Sequence, residues 1–190
     1  MKTLLINACV RKESRTKRIT NYLLNKTGAS VQEISVCEQE YPLVDQDFLN
    51  MRDALIAHGK FDAPCFQLAR QFADADNIVI AAPYWDLSFP SVLKNYFEQI
   101  NVVGLTFRYS SEGVPVGLVK AKSLYYITTA GGNFVPLEYG YGYVKALAQS
   151  FYQIPNVKLI IAKGLDIRGA DAENIIKQTE KQIDRLFEHK

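Results

Sequence analysis

Five short apolar runs, each separated from the next by residues at helical spacing, constrain this chain more than any other feature. They are Leu4-Leu5-Ile6, residues 31–36, Ile78-Val79-Ile80-Ala81-Ala82, residues 124–129 and residues 157–162. The third is apolar without interruption, as expected of a parallel strand covered on both faces. Residues 31–36 alternate less cleanly, which predicts a weaker strand nearer an edge. Between the runs, Ile19, Leu23 and Leu24 mark one helix, and Phe66, Ala69, Phe72 and Ala73 mark another. Val92, Leu93, Tyr96, Phe97 and Ile100 form an apolar stripe, with Ser88 as the expected cap and Pro90 in the first turn. Val144, Leu147, Ala148 and Phe151 predict a helix that ends near Pro155, and Ile175, Ile176, Ile183 and Phe187 predict the last one. Residues 38–64 are expected to add a helix and loops. Strand alternating with helix predicts an α/β fold: a doubly wound, five-stranded parallel sheet in the order 2-1-3-4-5, with helices on both faces. Residues 1–190 read as a single domain, without an internal repeat or linker.

Composition removes several function classes. The 48% hydrophobic and 22% charged shares of the 190 residues are those of a globular chain and exclude disorder. A net charge of +2 argues against a nucleic-acid or membrane-surface binder, since both need a concentrated basic face. Cys9, Cys37 and Cys65 lack a C-x-x-C spacing, so neither zinc nor an iron–sulfur cluster is expected, and free thiols fit a cytoplasmic location. The apolar start is cut off by Asn7 and followed by Arg11 and Lys12, so it reads as a strand rather than a secretory leader.

In open α/β sheets, ligands bind beyond the carboxyl ends of the strands, which nominates three loops. After the first strand, Arg15, Lys17 and Arg18 crowd the start of a helix beside Ser14 and Thr16. Cations there oppose the helix dipole, and a bound phosphate would resolve the conflict. Neither G-x-G-x-x-G nor G-x-x-x-x-G-K-[ST] is present, which disfavours a Rossmann dinucleotide and a P-loop. A plain solvated turn capped by Ser14 is the alternative. After the third strand, Pro83-Tyr84-Trp85-Asp86-Leu87 places the single tryptophan at the switch point, suiting a planar ring; alternatively Trp85 and Phe89 close the core. After the fourth, Thr129-Ala130-Gly131-Gly132 lets backbone approach a ligand, and the glycine–tyrosine alternation at 139–143 reads as a mobile lid or a subunit contact.

Together, residues 81–87 with Leu93-Lys94-Asn95-Tyr96-Phe97, the string Gly104-Leu105-Thr106-Phe107-Arg108-Tyr109 through Gly113 and Gly117-Leu118-Val119, and Ile127-Thr128-Thr129-Ala130-Gly131-Gly132 resemble the FMN-dependent NADH:azoreductase and quinone reductase family. Thr106-Phe107-Arg108-Tyr109 is the most specific piece, a string that neither core packing nor turn chemistry requires. The resemblance implies a flavodoxin-like three-layer sandwich that binds FMN and takes electrons from NADH or NADPH. It assigns the FMN phosphate to Ser14, Arg15 and Thr16, with Arg11 from the same loop. It assigns the isoalloxazine to Pro83, Tyr84, Trp85, Asp86 and Leu87, and its pyrimidine edge to Thr129, Ala130, Gly131 and Gly132. Two positions depart from the family: Asp86 stands where Asn is common, and Ala130 where many members carry Arg.

The implied reaction is ping-pong hydride transfer through flavin N5 to a small-molecule acceptor such as a quinone, azo or nitroaromatic compound. The implied protein is a homodimer whose partner completes the pocket. Cofactor chemistry requires no catalytic acid or base from the protein, and His58, at an expected helix end, and His189, at the C-terminus, are expected to be solvated. The alternatives are a flavodoxin-type FMN electron carrier and a flavin-free domain that keeps only the fold.

Overall fold

The computed structural model describes residues 1–42 and 44–188; His189 lies outside the described residues. Five parallel strands form the main sheet: β1 (Lys2–Asn7), β2 (Ser30–Ser35), β3 (Asn77–Ala81), β6 (Ser123–Thr129) and β7 (Asn156–Ala162), in the order β2-β1-β3-β6-β7. The order along the sheet is the expected one. The labels shift because an antiparallel pair, β4 (Phe107–Tyr109) and β5 (Pro115–Gly117), lies between β3 and β6. Among the described residues six α-helices accompany the strands: α1 (Arg15–Thr27), α2 (Gln46–Ala57), α3 (Gln67–Asp74), α4 (Ser91–Ile100), α5 (Tyr143–Ala146) and α6 (Ala172–Phe187). His58 caps the carboxyl end of α2. The weaker strand, β2, is an edge, with Val31 exposed.

The apolar runs of the inner strands are continuous because each of those strands serves two cores. Successive side chains point to opposite faces, so Leu4, Ile6, Ile78, Ile80, Leu124 and Tyr126 join a cluster with Phe66 and Phe72 of the α3 region and Leu93 and Phe97 of α4. Leu5, Val79, Ala81, Ile127, Ile160 and Ala162 join a second cluster with Ile19 and Leu23 of α1 and Ile176 and Ile183 of α6.

Three local expectations are corrected. Ser88 does not cap α4: the cap position is Pro90, and the Ser88 hydroxyl instead donates to the Tyr139 carbonyl at 2.6 Å. The glycine–tyrosine stretch is wound as a π-helical segment, Glu138–Gly142, which leads into α5 and a second π-segment, Leu147–Phe151. Gly140 is buried against Ser88 and the Tyr126 hydroxyl, so this stretch is anchored rather than loose. Thr106-Phe107 also has packing work. The buried Thr106 hydroxyl donates to the Ile100 carbonyl at 2.7 Å and accepts from the Val102 amide at 3.1 Å, while Phe107 meets Phe151 edge-on at 4.7 Å between ring centres.

Candidate functional site

The carboxyl ends of β1, β3 and β6 open together into a cleft of about 370 Å³. Arg11, Ser14, Arg15 and Thr16 line it from the loop after β1, Pro83, Tyr84 and Trp85 from the loop after β3, and Thr129, Ala130 and Gly131 from the end of β6. Asp86, Leu87 and Gly132, expected in the same site, are not among its lining residues. Val10, Glu13, Leu165 and Asp166 line it as well and were not anticipated. Leu165 and Asp166 follow β7, whose carboxyl end obeys the same placement rule as the other three.

The floor is held by hydrogen bonds between elements. The Thr16 and Thr129 hydroxyls meet at 2.6 Å, and the Tyr84 amide donates to the Thr129 carbonyl at 3.0 Å. Ser14 caps α1, its hydroxyl accepting from the Lys17 amide at 3.2 Å. The first α1 amide to find an intrahelical acceptor is that of Arg18, on the Ser14 carbonyl, so the Arg15 and Thr16 amides stand at an open helix start.

The charge argument for this helix start changes. Arg15 pairs with Asp166 at 2.6 Å, Lys17 with Glu33 at 3.2 Å and Arg18 with Glu173 through two bonds of 2.7 and 2.6 Å. Carboxylates from other elements therefore compensate all three cations, and no bound anion is needed for that. What remains for an anion is the amide geometry, the Ser14 and Thr16 hydroxyls, and Arg11. Gly131 leaves room for this arrangement, since a Cβ there would stand 2.5 Å from Asp166 Oδ2.

The loop after β3 carries backbone strain. Trp85 and Ser88 exchange hydrogen bonds of 3.0 and 2.7 Å, and Asp86 and Leu87 between them have φ of 48° and 69°. Positive φ at both central positions marks a type I′ turn, normally made by Asn and Gly. Leu87 in this region costs about 1–2 kcal/mol. The turn presents the Trp85 ring, 38% exposed, at the cleft. Burial pushes the Tyr84 phenol up, with the Glu138 charge adding to it, and its hydroxyl has no partner among the described residues. Ala130 is buried, so no cation occupies its place. Among the described residues no cluster of His, Cys, Asp and Glu could hold a metal, and no helix is long and apolar enough to cross a membrane. Burial, foremost, pushes the Cys9 thiol up, which leaves it a poor nucleophile.

A protein-family model described as flavodoxin-like fold matches residues 1–187. The chain is 34% identical over 196 residues to an FMN-dependent NADH:quinone oxidoreductase of Clostridium beijerinckii, covering 98% of this chain and 96% of the relative. It is similar in structure to a crystal structure of azoreductase from Bacillus anthracis, with a TM-score of 0.84 at 25% identity and full coverage of both chains. A second Bacillus anthracis structure, an FMN-dependent NADH-azoreductase in complex with FMN, shares the fold, with a TM-score of 0.78 at 24% identity over 97% of this chain and 98% of that one.

Proposed function

The chain belongs to the family of FMN-dependent NADH:quinone oxidoreductases on the flavodoxin-like fold, and from that membership we propose that it binds FMN in the cleft after β1, β3 and β6 and uses it to pass electrons from NADH to a small acceptor. One observation carries the assignment of the cleft: a single cavity joins an open helix start with two hydroxyls to an exposed tryptophan and a glycine-lined strand end. The residues fit the group. The Arg15 and Thr16 amides, the Ser14 and Thr16 hydroxyls and the Arg11 guanidinium suit a phosphate. Pro83, Tyr84 and Trp85 offer a flat wall to an isoalloxazine, and Thr129, Ala130 and Gly131 present backbone to its pyrimidine side. Asp86 and Leu87 act by shaping the turn that sets Trp85, and Gly132 by leaving the next backbone position open.

When bound, FMN supplies the redox chemistry, accepting the donor's electrons as hydride and delivering them to a quinone, azo or nitroaromatic acceptor in ping-pong order. The protein positions both and holds water away. NADPH is the alternative donor. Trp85, Phe134 and Tyr139 are exposed rings around the cleft region, which supports a homodimer in which a second copy covers them. We read the chain as one three-layer domain over residues 1–190, as the two clusters on either side of one sheet support, and as cytoplasmic, in keeping with three free cysteines.

The test is a visible spectrum of the purified protein with FMN, followed by anaerobic NADH. A retained flavin band that bleaches supports the reading. A band that stays oxidised points to an electron carrier, and no retained band overturns the cofactor assignment. Light scattering that returns a monomer overturns the dimer.

A further inference from the structure

A second cavity, of about 800 Å³, lies on the other side of the β1–α1 loop, beyond the carboxyl ends of β1 and β2. It shares Val10 and Arg11 with the first cleft, so the loop is a partition with Arg11 on both sides. Its interior differs from that of the first. Gln99 of α4 is only 5% exposed yet lines the cavity, and its side-chain amide has no partner among the described residues. Gln71 of α3 and Tyr41 line it too, and the Gln71 carbonyl oxygen and the Tyr41 hydroxyl are buried without partners among the described residues. A buried polar atom left unpaired costs about 1–3 kcal/mol; the Gln71 carbonyl oxygen and the Tyr41 hydroxyl are two such atoms in the lining, and the Gln99 amide stands at the same cavity without a partner among the described residues.

The chemistry of that ligand is written in the lining. A glutamine amide offers one donor and one acceptor side by side, the pattern that pairs with the adjacent acceptor and donor on an adenine edge. Ile34 and Leu68 supply apolar wall for the faces of a ring. At the rim, Arg11 and Lys12 meet no carboxylate among the described residues, unlike Arg15, Lys17 and Arg18 of the same loop and helix start, and are free for phosphate. Glu38, also at the rim, suits the hydroxyls of a ribose.

We propose that the cavity is a subsite for the adenosine monophosphate half of a dinucleotide whose other half lies in or against the first cleft, with the diphosphate crossing the partition at Arg11 and Lys12. That the other half is the flavin or the nicotinamide rests on the function proposed above; binding of the adenosine half does not. The two sources of such a half are the NADH donor and FAD taken in place of FMN, and they present the same adenine, ribose and phosphate.

Isothermal titration calorimetry of the FMN-loaded protein with AMP tests the subsite. One AMP per chain is expected, with affinity lowered at least tenfold in the double variant Gln71→Leu, Gln99→Leu and severalfold in Lys12→Ala. Absence of AMP binding, or double-variant binding equal to that of the parent, overturns the proposal. Retention of the flavin band by the variants verifies that the fold and first cleft are intact. A rise in KM for NADH without one for reduced nicotinamide mononucleotide assigns the subsite to the donor. Loss of FAD retention with FMN retention preserved assigns it to the flavin. If the protein takes up no FMN, the proposed function fails, and the AMP titration on the same protein still decides the subsite.

Discussion

The two faces of the sheet are held by different physics. On the α1/α6 side the fully buried members of the cluster are all aliphatic, and charges fasten the margin: Arg18 to Glu173, Lys26 to Asp184, and the Tyr22 hydroxyl donating to Asp184. On the α3/α4 side the core is aromatic, with Phe66, Phe72, Tyr96, Phe97, Tyr126 and Tyr152 buried and Phe89, Phe97 and Tyr143 in mutual ring contact. The difference shows how one sheet serves two kinds of ligand surface. The charged margin ends in the β1–α1 loop, which we propose for the phosphate, and the ring cluster supports the β3 loop, which we propose for the flat flavin ring.

Phe97→Ala should have the largest effect, because it removes a ring shared by several others at a site 1% exposed. A loss of about 3–5 kcal/mol in urea unfolding is expected. A loss below 1 kcal/mol would mean that the aromatic side is loosely packed. Next is the phosphate end. Ser14→Ala should cost about 1 kcal/mol through the lost cap, and Arg15→Ala with Thr16→Ala should weaken FMN retention in equilibrium dialysis. Unchanged affinity in the pair would move the phosphate elsewhere. Leu87→Asn should raise stability by up to about 1 kcal/mol, since Asn tolerates positive φ, and a drop would mean that Leu87 packs more than its 44% exposure suggests.

The smallest effect separates the faces by pH. Glu173 and Asp184 are held below the ordinary carboxylate range, by Arg18 and by Lys26 with Tyr22 respectively. Depressed carboxylates contribute stability above their unfolded values, and that contribution is lost as pH falls through the lower folded ones. Amide protection in α1 and α6, taken relative to intrinsic exchange at each pH, should therefore fall below about pH 4, ahead of α4. Equal response in all three helices would erase the distinction.

The inner strands were legible because a strand buried on both faces is apolar throughout, and the edge strand β2 because its weaker alternation marked it as one. The hairpin of β4 and β5 was not, since three-residue strands carry no period to read. Ser88 was misread as a cap because capping chemistry is local, whereas its partner Tyr139 is 51 residues away. The same distance hid the charges that answer α1: Asp166 and Glu173 are 151 and 155 residues from Arg15 and Arg18. Ten of the thirteen expected site residues line one cleft, because each lies at a strand's carboxyl end. Leu165 and Asp166 could have been nominated by extending that rule to the fifth strand.

The alternation of β3 makes it a dividing wall between two unlike chambers, Ile78 and Ile80 facing rings and Val79 and Ala81 facing aliphatic chains. Insertion of one residue would exchange the two sets. Hydropathy would hardly change, yet each chamber would receive side chains shaped for the other. Evolution can therefore lengthen or shorten this chain in its loops while β3 admits substitutions only, so relatives that differ in length are expected to align through it without a gap.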